Sequence, residues 1–148
     1  MRHKRTYLKI IAQSSLFVVM IGLSACTEDN TPIPSVYDNV SLELNNGEKW
    51  DVSDNMIQHM NNSFDLIDEA TGESEKDYEA LAKDLVEQKT AFVSSCDMKG
   101  EGHDVLHAWL MPYIGLLEDL DKATTLDDQE RILGDIENAR TIFLEYFQ

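Results

Sequence analysis

Residues 125–148 read TLDDQERILGDIENARTIFLEYFQ, and this run decides the fold class. Its apolar positions Ile132, Ile136, Ala139, Phe143 and Phe147 recur at three- and four-residue intervals, the repeat of one face of an α-helix. Thr125 precedes the run as an N-cap. Asp128 at the third helical position makes an approximate capping box, so that side-chain oxygens can take up amides which the first turn leaves free.

The same repeat continues upstream. A third helix is expected from His103 to Lys122, with a stripe of His103, His107, Leu110, Ile114 and Leu117 facing inward and Pro112 kinking it. A second is expected from Glu75 to Ser95, with Tyr78, Leu81, Leu85, Phe92 and Cys96 along one side. A first is expected from Ser53 to Ala70, with Met56, Met60, Phe64 and Ile67. Thr71-Gly72 and Lys99-Gly100-Glu101-Gly102 break the pattern between them. The chain has 148 residues, 43% of them hydrophobic, which allows one domain with one core. Four amphipathic helices joined by short loops predict an all-α, antiparallel up-down-up-down four-helix bundle over residues 51–148. Residues 26–50, with Pro32, Pro34 and the turn signal Asn45-Asn46-Gly47, read as a flexible tether with one short extended piece at Val40–Leu44.

The N-terminus is of another kind. Residues 1–9 are basic, Ile10–Gly22 are mostly apolar, and the run ends in Leu23-Ser24-Ala25-Cys26. That order is an export signal, and the apolar part is too short to cross a hydrocarbon core of about 30 Å. Leu-Ser-Ala-Cys resembles the bacterial lipobox, which implies removal of residues 1–25 and lipidation of Cys26. Thr27-Glu28-Asp29-Asn30 resembles the acidic export signal of Bacteroidota surface lipoproteins. The expected location is the bacterial cell envelope, lipid-anchored in the outer membrane on its periplasmic or surface face. That compartment is oxidising.

Charge removes one class of partner. Four of the 12 Lys and Arg lie in the first nine positions, so without the leader eight cations face 28 Asp and Glu, a formal charge of −20. Nucleic-acid affinity comes largely from Lys and Arg neutralising phosphates, and here they are far outnumbered by carboxylates.

The chemistry-bearing residues are unevenly placed. Met56, His59 and Met60 fall at the start of the first helix, Cys96 and Met98 at the end of the second, and His103 and His107 at the start of the third. In an up-down-up-down bundle those three places share one end, leaving only Met111 apart. His103 and His107 at i,i+4 project from one helix face and can grip one ion. Thiolate, thioether and imidazole together suit copper(I) first, and zinc if the thioethers stand aside. The expected primary ligands are Cys96, His103 and His107, with Met98, Met56, Met60 and His59 completing the set. On this reading Cys96→Ser weakens binding far more than Met111→Leu.

Rival chemistries have less support. His103-Asp104-Val105-Leu106-His107 lacks the Glu base and the third ligand of a zinc protease. No covalent-haem motif, nucleophile elbow or phosphate loop occurs, so no catalytic turnover is expected.

Two segments carry a resemblance. Asp54-Asn55-Met56 and Ala139-Arg140-Thr141-Ile142-Phe143 resemble the first and last helices of the soluble b-type cytochromes of the bacterial periplasm. The resemblance implies a four-helix bundle and a haem bound through Met56, although Leu144 stands where that family carries its axial His. Haem held by Met56 or Met60 opposite His103 or His107 is therefore the alternative cofactor. The run Cys96-Asp97-Met98-Lys99-Gly100 to His103 and Leu106-His107 is similar to one in small Bacteroidota lipoproteins. The third alternative is an interaction protein whose acidic faces meet a cationic partner.

Overall fold

The structure, a computed structural model, describes residues 34–70 and 75–148. It contains four helices: α1 (Asp54–Glu69), α2 (Glu75–Ser94), α3 (Glu101–Lys122) and α4 (Leu126–Tyr146). No strand occurs among the described residues, only isolated bridges pairing Asn45 with Glu48 and Trp50 with Phe147. The all-α expectation holds. The leader (1–25), the lipidation site Cys26 and the first part of the expected tether lie outside the described residues.

Helix starts follow local chemistry. Thr125 Oγ1 accepts from the Asp128 amide at 3.2 Å and donates to Asp128 Oδ2 at 2.8 Å, the expected cap at α4. Ser53 takes the N-cap position of α1 with extended backbone but makes no side-chain cap, its hydroxyl being buried without a partner. α3 begins two residues earlier than expected. Gly100 sits at φ 70°, in the left-handed region that a Cβ disfavours. Its carbonyl accepts from His103 and Asp104 amides at 3.0 and 3.1 Å, so Glu101 and Gly102 join the helix.

Consecutive helices pack along their lengths, and their residue pairs run in opposite numerical order. His59, early in α1, meets Gln88, late in α2, while Leu66 and Ala70 share a cleft with Tyr78 and Leu81. Phe92 meets Trp109, whereas Glu79 shares a cleft with Leu120 and Lys122. Trp109 Nε1 donates to the Ala139 carbonyl at 2.9 Å, and Gln129 Nε2 to Ala123 at 3.2 Å. Arg140 of α4 lies over the Phe64 ring and donates to Asp68 Oδ1 at 2.6 Å, joining α4 to α1.

The tether expectation needs correction over residues 34–50, which pack on the bundle. Tyr37 is buried, and its hydroxyl donates to the Trp109 carbonyl at 3.0 Å. Asn138 Nδ2 donates to Ser35 Oγ at 2.9 Å. Trp50 exchanges backbone bonds with Tyr146 and Gln148 at 2.8 and 2.9 Å, and its Nε1 reaches the Glu43 carbonyl at 2.7 Å. The physical reason is apolar content: Tyr37, Val40, Leu42 and Trp50 bury surface that a solvated tether would leave in water. Val40–Leu44 forms no strand. Asn45-Asn46-Gly47 does turn, with Asn46 and Gly47 at φ 54° and 94° and Asn45 and Glu48 exchanging bonds of 2.8 and 3.1 Å. Two successive positive φ values are the primed hairpin geometry that Asn-Gly favours.

Trp50 closes one end of the core against the first turn of α3. A Cβ built on Gly102 would stand 2.7 Å from Trp50 Cε3 and 3.3 Å from Met98 Cε. Gly102→Ala is therefore expected to destabilise by about 1–3 kcal/mol through overpacking, despite the better helix propensity of Ala. Gly115→Ala and Gly134→Ala, with nothing within 4 Å of the added carbon, should instead stabilise by up to about 1 kcal/mol. Melting temperatures of the three variants check the sign.

Candidate metal centre

The orientation of α3 determines what the histidines can do. Its buried residues are Gly102, Leu106, Trp109, Leu110, Tyr113, Leu116, Leu117 and Leu120. At 100° per residue, the centre of that face lies roughly 80° from the centre of the stripe expected through His103, His107, Leu110, Ile114 and Leu117. Trp109 and Tyr113 are the cause: their rings carry far more apolar area than an imidazole and take the inside. His103 is consequently half-buried on the flank, and His107 is exposed. The expectation that both imidazoles face the core is corrected.

The two rings remain together, with centroids 4.4 Å apart and planes at 67°. Cys96 is half-buried and packs on the core from the turn after α2, its amide donating to Val93 at 3.3 Å. Met98 also packs on the core, beside Gly102 and Trp50. Met56 and Met60 are 0% and 2% exposed, members of the core itself. His59 Nδ1 lies 3.1 Å from Gln88 Oε1, which also accepts from Asn62 Nδ2 at 3.2 Å; its ring belongs to the α1–α2 seam.

Among the described residues no group of three or more His, Cys, Asp or Glu side chains is arranged to hold a metal ion. Cys96, His103 and His107 are thus not gathered as a three-ligand centre, which corrects the primary set. The rotation of α3 turns the imidazoles outward while Cys96 and Met98 stay against the core. The haem alternative needs Met56 or Met60 opposite an imidazole. The structure seals both thioethers inside and leaves His107 outside.

Met111 is a residue to which the expected α3 stripe assigns no face. Met111 is 61% exposed, the most open large apolar side chain among those described. Its signal was its place four residues after His107, on the outer face that burial of Trp109 dictates. On the other flank of α3, Ser41, Glu43, Glu101, Asp104, Val105 and Ala108 line an open cleft of about 270 Å³.

Inside, two phenols are held neutral. Burial pushes Tyr113 up to about 12, with the nearby Ser63 hydroxyl pulling the other way. Ser63 itself donates to the His59 carbonyl at 3.0 Å. Burial, then the charge of Tyr113, raises Tyr37 well above the ordinary phenol range.

Comparison of the chain with protein-family models, curated proteins and solved structures finds no match in any of the three.

The raised phenols set an alkaline limit. An unfolded Tyr ionises near about 10, so this contribution is whole below that pH. It is lost as pH rises through 10 towards 12, where the unfolded chain sheds protons that the folded one retains. Far-ultraviolet circular dichroism should show helix loss over that window. Tyr113→Phe should soften the slope while changing stability at neutral pH by no more than about 1 kcal/mol, since the lost hydroxyl has no direct partner.

Proposed function

We propose that this chain is a non-catalytic lipoprotein of the bacterial envelope, anchored through Cys26, that captures or buffers a transition-metal ion at one end of a helical bundle. Copper is the first choice and zinc the second. The observation that supports this reading is the His103/His107 ring pair at 4.4 Å on a solvent-accessible flank of α3. Imidazoles one helical turn apart can coordinate one ion. A half-buried, half-solvated place lets an ion arrive without unfolding the helix. Among nitrogen ligands, divalent affinity rises to copper and falls again at zinc. In an up-down-up-down order the first turns of α3 would lie beside the turn leaving α2, and Trp50 lies against Gly102 there. The ion is thus held at an end of the molecule, where transfer to or from a partner is open. The acidic surface favours the approach of any cation.

The test is titration of the full chain, purified in detergent without chelator, with Cu(II) and Zn(II). One equivalent is expected to bind and raise the melting temperature by mass action. His103→Ala and His107→Ala should each lower affinity by at least about tenfold, as loss of one of two ligands requires. Unchanged melting temperature with both ions, or equal affinities in wild type and the His variants, would sink the proposal.

A further inference from the structure

We infer that the groove between α2 and α3 binds a fatty acid, its carboxylate paired with Lys89 and its alkyl chain lying on Val86, Ile114 and Leu117. Neither His103 nor His107 lines this groove, so the inference stands apart from the metal reading. The groove has about 260 Å³, and the three apolar side chains line it. Leu117 is buried, while Val86 and Ile114 are half-buried and pack on the core. Lys89 lines the same groove and is itself half-buried.

The other cations have partners that Lys89 lacks. Lys83, Lys122, Arg131 and Arg140 reach carboxylates, and Lys49 donates to the Leu144 carbonyl. Lys89 and Lys99 make no ion pair among the described residues, although the chain holds 28 Asp and Glu. Lys99 is exposed, whereas Lys89 is half-buried. The sequence explains its isolation. Positions three and four residues away are neighbours on a helix surface, and for Lys89 these are Leu85, Val86, Phe92 and Val93, all apolar. Glu118 and Asp121 also line the groove, but further along it. Phe92 faces Trp109 and Glu79 shares a cleft with Leu120 and Lys122, which puts Lys89 at the Ile114 end. From Ile114 the two acids stand about 6 and 10 Å further along the axis of α3. There they already have cations nearby. Glu118 takes Lys122 at 3.4 Å, and the charge of Asp121 adds to the larger effect of Glu79 in raising Lys83.

A lysine lays its methylenes on apolar surface and keeps its ammonium at the edge. With apolar neighbours on its own helix and Ile114 opposite, that ammonium is left to water or to the anion of a ligand. A carboxylate on an alkyl chain matches both parts of the groove. Its oxygens accept charge-assisted bonds from Nζ, and its chain takes apolar surface out of water. Size selects a single chain. Ligand pockets run from about 300 to 1,000 Å³, and a groove of about 260 Å³ has no room for the paired chains of a phospholipid. An amphipathic helix, about 10 Å across, is too wide for it. Charge selects a monoanion, because Glu118 and Asp121 repel a second acid group at the far end. Val93 and Met111, 45% and 61% exposed, share helix faces with Lys89 and Ile114 and extend the apolar surface beyond the ammonium.

The experiment uses the full chain in micelles of an uncharged maltoside detergent, with dodecanoate carrying a photoreactive diazirine at its tail. Illumination marks the residues that the tail touches, and mass spectrometry of the digest locates them. Marks are expected around Val86 and residues 114–117, displaced by unlabelled dodecanoate and far less by dodecanol, which has the chain without the charge. Lys89→Gln should lower marking about fivefold or more, as loss of a charge-assisted bond requires, and Lys89→Arg should retain it. Lys99→Gln removes the same charge from an exposed position and should leave marking unchanged. Circular dichroism verifies that each variant is folded. Equal marking of Lys89→Gln and its parent, or displacement by dodecanol as strong as by dodecanoate, means apolar partition alone and overturns the inference. Marks absent from the groove also overturn it, leaving Lys89 to a protein carboxylate or to solvent. None of these results bears on the histidine pair, which the metal titration tests by itself.

Discussion

Burial of Trp109 is the constraint on which the rest of the molecule depends. Its ring is fully enclosed, stacked on Tyr113 at 5.0 Å and within 4.9–6.3 Å of Phe92, Phe143 and Phe147. Its indole N–H donates to Ala139, and its own carbonyl receives the Tyr37 hydroxyl. One residue therefore touches α2, α4 and the segment that precedes α1. The indole N–H could not be buried without an acceptor, since an unmet donor there costs about 1–3 kcal/mol. The Ala139 carbonyl, otherwise engaged only within α4, supplies it. Because Trp109 must face inward, the rotation of α3 about its axis is settled, and so are the flank position of His103 and the exterior position of His107 and Met111. The core thereby determines the candidate site without contacting a ligand.

The four helices were legible in the sequence because their apolar repeats are long and two of the three breaks contain Gly. Stripes on α1, α2 and α4 fell on the buried residues: Met56, Met60, Phe64 and Ile67, then Tyr78, Leu81, Leu85 and Phe92, then Ile132, Ile136, Ala139 and Phe143. On α3 the expected Leu110 and Leu117 are buried, but the stripe as a whole was turned aside because two readings share the same spacing. His103, His107, Leu110, Ile114 and Leu117 satisfy the helical repeat, and so do Leu106, Trp109, Leu110, Tyr113, Leu117 and Leu120. Periodicity alone cannot choose between them, whereas apolar area can, and the second set contains the two largest rings of the helix. Placing Trp109 inside first would have turned the histidines outward and brought Met111 into view.

Residues 34–50 were misread for a related reason. Their Pro and Asn-Gly signals are local and correct, since the turn at Asn46-Gly47 forms. What they cannot express is that Tyr37 and Trp50 have partners about 70 and 100 residues away, at Trp109 and Gln148. Tertiary contacts of that sequence separation leave no periodic trace in a short irregular segment. The candidate site was legible only in part. The His pair survives as a pair because i,i+4 contact is a property of the helix itself. The proposed union with Cys96 required knowledge of how two helices are rotated about their axes.

On the proposed reading, the acidic surface and the imidazole pair would perform separate tasks. A formal charge of −16 raises the local concentration of every cation, but it cannot distinguish copper from calcium or magnesium. Its reach is also short, since mobile ions screen exposed charges over about 8 Å at physiological salt. Discrimination has to come from atoms within bonding distance, and calcium and magnesium prefer oxygen. The many carboxylates are oxygen donors, yet none is gathered with the imidazoles into a common cage among the described residues. That separation matters for selectivity. Carboxylates beside the His pair would add affinity for hard ions, which imidazole ligands do not favour. On the proposed reading, bulk charge would serve attraction and the imidazole nitrogens of α3 would serve choice.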